Sequence, residues 1–338
     1  MSDTERNKET VVAFYGEADR RPKPSDLSVT VTTTARLHFG FLDPSGRSDR
    51  PFGSFGLSLD RPATRLTLEP SKAVEVTGPE AARAARYLES IAEACRVARA
   101  CRLEVHEAIP CHAGLGSGTQ LALAVGAAFA AAEGLSLTPL EIAGKLGRGA
   151  RSGIGIATFE AGGAVLDSGP RDGAVPQLVA RVPFPEAWRV LLIFDPDAKG
   201  LAGANELAAF ETLPAFPPTE AAELRARIVE GALPALEAQD FATFCAQIGY
   251  LQDRMGAYFA PLQGGAYTSP RVGAVLQGLR AEGLTGLGQS SWGPTGFAFA
   301  PTEQEGQKLL AAARARAPQG VRFTLAHGRN EGADIAVG

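Results

Sequence analysis

The stretch Ile109-Pro110-Cys111-His112-Ala113-Gly114-Leu115-Gly116-Ser117-Gly118-Thr119 decides how this chain is read. Before it, Cys101–His106 alternates polar and apolar residues, the pattern of a half-buried strand. After it, Thr119–Glu133 is apolar on most faces, which predicts a buried helix closed by Gly134. A glycine-rich turn from strand to helix lets the backbone approach a ligand, and the free amides at the helix start favour an anion. Ser117 and Thr119 add hydroxyl donors. The stretch lacks the Gly-Lys-Ser/Thr of a P-loop and the spacing of a dinucleotide fingerprint. Taken alone, a tight turn without a ligand explains it equally well.

Working outward, Ser28–Thr34 is a β-branched strand, followed by a Gly/Pro-containing loop over Phe41–Gly56. Arg65–Leu68 and Ala73–Val76 alternate as further strands, and Glu80–Ala100 carries apolar residues at helical spacing. Thr138-Pro139-Leu140-Glu141 is a capping box with proline at the first helical position. The continuous apolar run Arg189–Phe194 predicts a buried central strand. Helical patterns follow at Gly203–Leu213, Thr219–Gln239, Phe241–Tyr258 and Ser269–Glu282. A strand pair flanks Gly286–Gly296, a second capping box at Thr302–Glu305 opens a helix to Ala315, and Val321–Leu325 is the last expected strand. This mixed order predicts an α+β chain: a loosely ordered tail over 1–26, an N-terminal domain over 27–185 and a C-terminal domain over 186–338.

A length of 338 residues fits two domains, at about 150 residues each. With 45% hydrophobic and 21% charged residues, disorder is excluded as the main state. A net charge of -4 excludes a general nucleic-acid binder. Met1–Lys23 has no apolar core of a secretory signal, and Leu121–Ala132 is too short to span a bilayer, so a cytoplasmic protein with no membrane partner is expected. Cys95, Cys101, Cys111 and Cys245 form no C-x-x-C pair and read as free thiols. The apolar content is compatible with a homodimer.

Pro110–Gly118 resembles the P-x-x-x-G-L-G-S-S phosphate loop of the GHMP kinase superfamily. Thr34–Asp43 looks like the first motif of that superfamily and Leu287–Gly296 like its third, in the same order along the chain. The resemblance covers about residues 28–335 and implies a GHMP-kinase-like fold, with a domain like ribosomal protein S5 domain 2 followed by a ferredoxin-like domain. One departure matters. Such kinases commonly carry S-G-[IL]-D, whereas here Ser152-Gly153-Ile154-Gly155 puts a glycine where the aspartate would stand. Glycine offers neither a base nor a metal ligand, so ordinary kinase chemistry is not expected.

Arg36–Asp43, Gly147–Gly155 and Gly288–Pro294 are similar to the β-ribofuranosylaminobenzene 5′-phosphate synthase branch. That resemblance implies a decarboxylating phosphoribosyl transfer. 5-Phosphoribosyl 1-diphosphate and 4-aminobenzoate or 4-hydroxybenzoate would give a C-riboside, CO2 and pyrophosphate, on the route to tetrahydromethanopterin. Mg2+ would accompany the diphosphate. A small-molecule GHMP kinase with a relocated base, or a silent phosphate-binding relative, are the competing readings.

On this resemblance, Gly114, Leu115, Gly116, Ser117, Gly118 and Thr119 cradle a phosphate group. Arg36, Arg148 and Arg151 pair with phosphate or carboxylate through bidentate forks, with Ser152 beside them, although a solvated surface role is the commoner fate of an arginine. His38 is the candidate proton acceptor, ahead of His112. Asp43, Asp167 and Glu206 are candidate magnesium or amine partners, with ordinary structural roles as the alternative. Gln289, Ser290, Ser291 and Trp292 would contact the aryl acid or ribose, unless Trp292 plugs the domain interface.

Overall fold

The computed structural model describes residues 27–45, 52–98, 100–170, 174–200 and 212–338. The chain opens with two long antiparallel strands, β1 (Val29–Asp43) and β2 (Phe52–Pro70). Both run well into the stretch expected to be a loop. The reason is burial: from Leu37 onward every residue of β1 is buried, so no polar–apolar alternation marks the strand. Register shifts between Thr34 and Arg36 and between His38 and Gly40 bracket two candidate site residues.

β3 (Glu75–Thr77), α1 (Ala81–Cys95), β4 (Cys101–Glu107), α2 (Ser117–Ala132), α3 (Pro139–Lys145), α4 (Ile154–Ala161), β5 (Ala164–Asp167) and β6 (Leu178–Val182) complete the first half. The expected helix over Glu80–Ala100 ends early, because Arg96 turns left-handed. The capping box at Thr138 forms as expected, with its hydroxyl accepting from the Glu141 amide. β7 (Arg189–Phe194), α5 (Pro218–Ala226), α6 (Leu233–Glu237), α7 (Phe241–Gln263), α8 (Pro270–Ala281), β8 (Leu287–Gln289), β9 (Gly296–Ala300), α9 (Glu303–Arg316) and β10 (Arg322–Ala326) follow. A π-helical turn, Arg227–Ala232, joins α5 to α6. Most of the helix expected over Gly203–Leu213 lies outside the described residues.

The strands form two sheets. The first has seven strands, in the order β11 (Asp334–Val337), β1, β2, β4, β3, with β5 on β2 and β6 on β5. The second has four, in the order β10-β7-β9-β8, so the apolar run of β7 is interior as expected. β11 (Asp334–Val337) was not expected. It returns to pair antiparallel with β1, and its all-exposed, four-residue pattern carries no burial signal.

The two sheets share one core. Phe39 of β1 packs on Phe55 of β2 (ring centroids 5.4 Å), on Phe297 and Phe299 of β9 (5.4 and 5.8 Å) and on Phe244 of α7 (6.4 Å). A separate core lies between α1, α2 and the outer half of the first sheet, and a third lies under α8 and α9. Because Phe39 joins both halves, Phe39→Ala is expected to cost about 3–5 kcal/mol, measured by urea unfolding. A cost below about 1 kcal/mol would contradict a shared core.

Candidate active site

The glycine-rich turn starts α2 two residues earlier than the apolar pattern suggested, so Ser117 and Gly118 form its first turn. Gly116 caps the helix in the left-handed region (φ 82°) and supplies no side chain, while its carbonyl accepts from Thr119 and Gln120. The amides of Ser117 and Gly118 are left open, as at any uncapped helix start. A Cβ on Gly114 would lie 2.3 Å from the Ser290 carbonyl oxygen, so only glycine lets this turn meet the third motif.

That meeting is built from hydrogen bonds. The Ser290 hydroxyl donates to the Gly114 carbonyl (2.7 Å) and accepts from the His38 amide (3.0 Å). The Ser291 amide donates to the His38 carbonyl (3.0 Å), and Arg36 donates to the Gly114 carbonyl through Nη1 (2.6 Å). The three motifs thus close around a cavity of about 490 Å³. Arg36, Arg83, Arg86, Arg148 and Arg151 line it, with His38, Phe41, Ser117, Gly118, Thr119, Ser152, Ser291 and Trp292. No carboxylate lines it among the described residues.

His38 is 3% exposed, and neither ring nitrogen has a hydrogen-bond partner. Burial, then the charge of Arg36, push its pKa down to about 3, with a smaller push from Arg151. The imidazole is therefore neutral near pH 7, with one N–H donor and one lone pair on its ring.

The other expected residues divide. Gly114, Gly116, Ser117, Gly118, Thr119, Arg36, Arg148, Arg151, Ser152, Ser291 and Trp292 are brought together around the cavity. Leu115 turns into the core, 1% exposed, and only its carbonyl serves the site, by accepting from the Arg36 amide. Ser290 is fully buried and braces the motifs rather than lining the cavity. Gln289 is likewise a brace: its side chain bonds Thr268, Gln263 and the Ser291 carbonyl.

Asp167 is not brought to the cavity. Its carboxylate accepts from the amides of Ser54, Gly153 and Gly169 and from the Ser152 hydroxyl, which ties β2 and β5 to the start of α4. Burial pushes this carboxyl up, opposed by those four bonds. Asp43 is buried at the end of β1 and accepts from the Ser45 amide and hydroxyl. Glu206 lies outside the described residues. No group of three or more His, Cys, Asp or Glu among the described residues could hold a metal ion.

Gly155, which the family resemblance matches to a kinase aspartate, sits inside α4 with little room beside it. A Cβ there would lie 3.0 Å from the Thr119 methyl. Trp292 is 4% exposed and stacks obliquely on Phe259 (4.4 Å), so it both fills the interface and lines the cavity. Arg83, Arg86 and Tyr87 were missed. Their i, i+3, i+4 spacing on one helix was legible, but nothing in the sequence aimed that face of α1 at the glycine turn.

Residues 80–163 match the GHMP kinases N-terminal domain, and residues 232–319 match the GHMP kinases C-terminal domain. A β-ribofuranosylphenol 5′-phosphate synthase from Archaeoglobus fulgidus is 30% identical over 319 residues, covering 90% of this chain and 98% of that protein. The chain belongs to the GHMP kinase superfamily, in this synthase branch. Its counterpart in Methanothermobacter thermautotrophicus is 28% identical over 330 residues, covering 91% of this chain and 98% of its own. Among solved GHMP folds, homoserine kinase from Cytophaga hutchinsonii superposes with a TM-score of 0.65 at 17% identity, covering 96% of this chain and all of that one. Mevalonate diphosphate decarboxylase from Staphylococcus aureus gives 0.64 at 14% identity, covering 92% and 98%. These two show the fold alone. No described helix is long and apolar enough to cross a membrane.

The neutral His38 links stability to pH. Above pH 6.5 the folded and unfolded chains both leave it unprotonated. As pH falls from 6.5 towards 3, only the unfolded chain takes the proton, so stability falls by up to about 1.4 kcal/mol per pH unit. His38→Asn is expected to make the acid limb of urea-unfolding stability shallower by about one proton in this window, and an unchanged slope would refute the buried neutral state. Ser290→Ala is expected to lower stability by about 1–3 kcal/mol, and to weaken ligand binding in the cavity, because it leaves the His38 amide unbonded. Paired urea melts and ligand titrations of this variant check both effects.

Proposed function

We propose that this chain is a decarboxylating phosphoribosyltransferase that joins C1 of 5-phosphoribosyl 1-diphosphate to the ring carbon of a 4-substituted benzoate. CO2 and diphosphate leave, and the product is a C-riboside on the route to tetrahydromethanopterin. The observation that carries this reading is a cavity with five arginines and an open helix start but no lining carboxylate among the described residues. Such a lining suits two anionic groups of a donor and a departing diphosphate. It does not suit removal of a proton from an alcohol, the task of a kinase. The relatives' name describes the riboside of a phenol, which supports 4-hydroxybenzoate as acceptor, with 4-aminobenzoate as its amine counterpart.

The electrons balance without a strong base. The C1–O bond breaks and its pair leaves on the diphosphate, giving an oxocarbenium-like C1. The ring carbon bearing the carboxylate supplies the pair for the new C–C bond. The C–CO2 bond then breaks, and its pair restores the aromatic ring. Proximity and orientation of the two reactants account for much of the rate.

Arg36, the open amides of α2 and the Ser117 hydroxyl are assigned to the diphosphate, and Arg151 to the benzoate carboxylate. Trp292 and Phe41 flank the ring. Neutral His38 offers a hydrogen bond to the para hydroxyl or amine, and its low pKa keeps a further positive charge off the site. The described lining does not fit a resident magnesium ion, so Mg2+ is assigned to the diphosphate as part of the donor.

The test is release of labelled CO2 from carboxyl-labelled 4-hydroxybenzoate and 4-aminobenzoate, each with donor and Mg2+. Donor-dependent release is expected from at least one acid, and Arg36→Ala should lower kcat/KM by about 100-fold or more. ATP consumption with homoserine or mevalonate, without CO2 release, would instead identify a kinase. Tight donor binding with no turnover would identify a silent relative.

A further inference from the structure

We infer that Arg83 and Arg86 of α1, together with Arg148, form a phosphomonoester site that holds the 5′-phosphate of the donor, apart from the diphosphate. This rests on the transfer reaction proposed above. A Cβ on Gly118 would lie 3.8 Å from Arg148 Nη1, 3.8 Å from the Tyr87 hydroxyl and 3.9 Å from Arg83 Nη1. Three donors from α1 and the turn after α3 therefore converge on the first turn of α2. On the other side of that turn, Arg36 packs on Gly116, where a Cβ would lie 3.1 Å from its Cγ and Nε. The helix start thus has two cationic flanks, Arg36 on one and Arg83 with Arg148 on the other.

Arg148 is positioned in advance. Its guanidinium lies over the Tyr87 ring, 4.9 Å from the centroid, and bonds the Tyr87 hydroxyl through Nη2. The Nε atoms of Arg83 and Arg148 are buried without a partner, although Arg83 also pairs with Glu80 through Nη2 (3.0 Å). Arg86 lines the same cavity from the exposed side of α1.

Donor geometry decides which anion goes where. C1 carries the diphosphate and must face the acceptor, whose polar partner is His38, two residues along β1 from Arg36. The diphosphate therefore falls to the Arg36 side. The 5′-phosphate, on the far side of the ribose ring, falls to the α1 side. Two flanks of one helix start then read the two ends of one substrate.

The experiment uses ribose 5-phosphate and inorganic pyrophosphate as separate calorimetric probes of the full-length protein, beside steady-state kinetics. Arg86→Gln and Arg83→Gln are expected to weaken ribose 5-phosphate at least tenfold and pyrophosphate less than twofold. The donor KM should rise by a similar factor with a smaller fall in kcat, and Arg86→Lys should recover part of the loss. Equal or greater weakening of pyrophosphate would overturn the assignment. So would a Glu80→Gln variant that matches Arg83→Gln in both ribose 5-phosphate affinity and melting temperature, because Arg83 would then act only through its ion pair. Wild-type protein that binds ribose 5-phosphate through these arginines but releases no CO2 would support this site while refuting the proposed reaction. Wild-type protein that binds neither ribose 5-phosphate nor the donor would refute both.

Discussion

One oxygen joins the three motifs. The Ser290 hydroxyl donates to Gly114, 176 residues away, and accepts from the amide of His38, 252 residues away. Arg36 adds a second bond to the same Gly114 carbonyl, and the Ser291 amide returns one to His38. Strand β1, the glycine turn and the loop after β8 are thereby held at one point. A side chain at position 114 would occupy the space that this contact needs. The cavity exists because these segments are pinned, and its arginines share one volume for the same reason.

Beneath that point the aromatic core does the corresponding work at larger scale. Phe39 follows His38 in β1 at the register shift before Gly40, where His38 lines the cavity and Phe39 enters the shared core. The polar site and the shared core thus meet at one segment. Phe39 packs on rings from β2, β9 and α7, which fixes the second sheet against the first. Burial that secures Phe39 also strips His38 of water, and with Arg36 beside it the imidazole is neutral near pH 7. Packing and electrostatics at the site have one origin.

The arrangement differs from a phosphoryl-transfer centre in a consistent way. A Cβ at position 155 would crowd the Thr119 methyl, Asp167 is held by four hydrogen bonds outside the cavity lining, and the described lining is cationic. The superfamily fold supplies a helix start suited to anions. The residues around it suit stabilising a departing anion more than activating a nucleophile.

Local pattern in the sequence was enough for the α+β class, the apolar interior strand β7, the cap at Thr138 and the glycine turn, because each depends on residues close together in the chain. Tertiary structure alone decided the rest. The inner ends of β1 and β2, residues 37–43 and 53–59, lack alternation because both faces are buried, and β11 pairs with a strand some 300 residues earlier. Whether a polar residue lines the cavity or braces it depends on partners far along the chain. Hence Ser290 and Gln289 became braces, Asp167 a structural knot, and Arg83 and Arg86 members of the site. Side-chain direction and desolvation are set by packing between distant segments, and no local spacing encodes them.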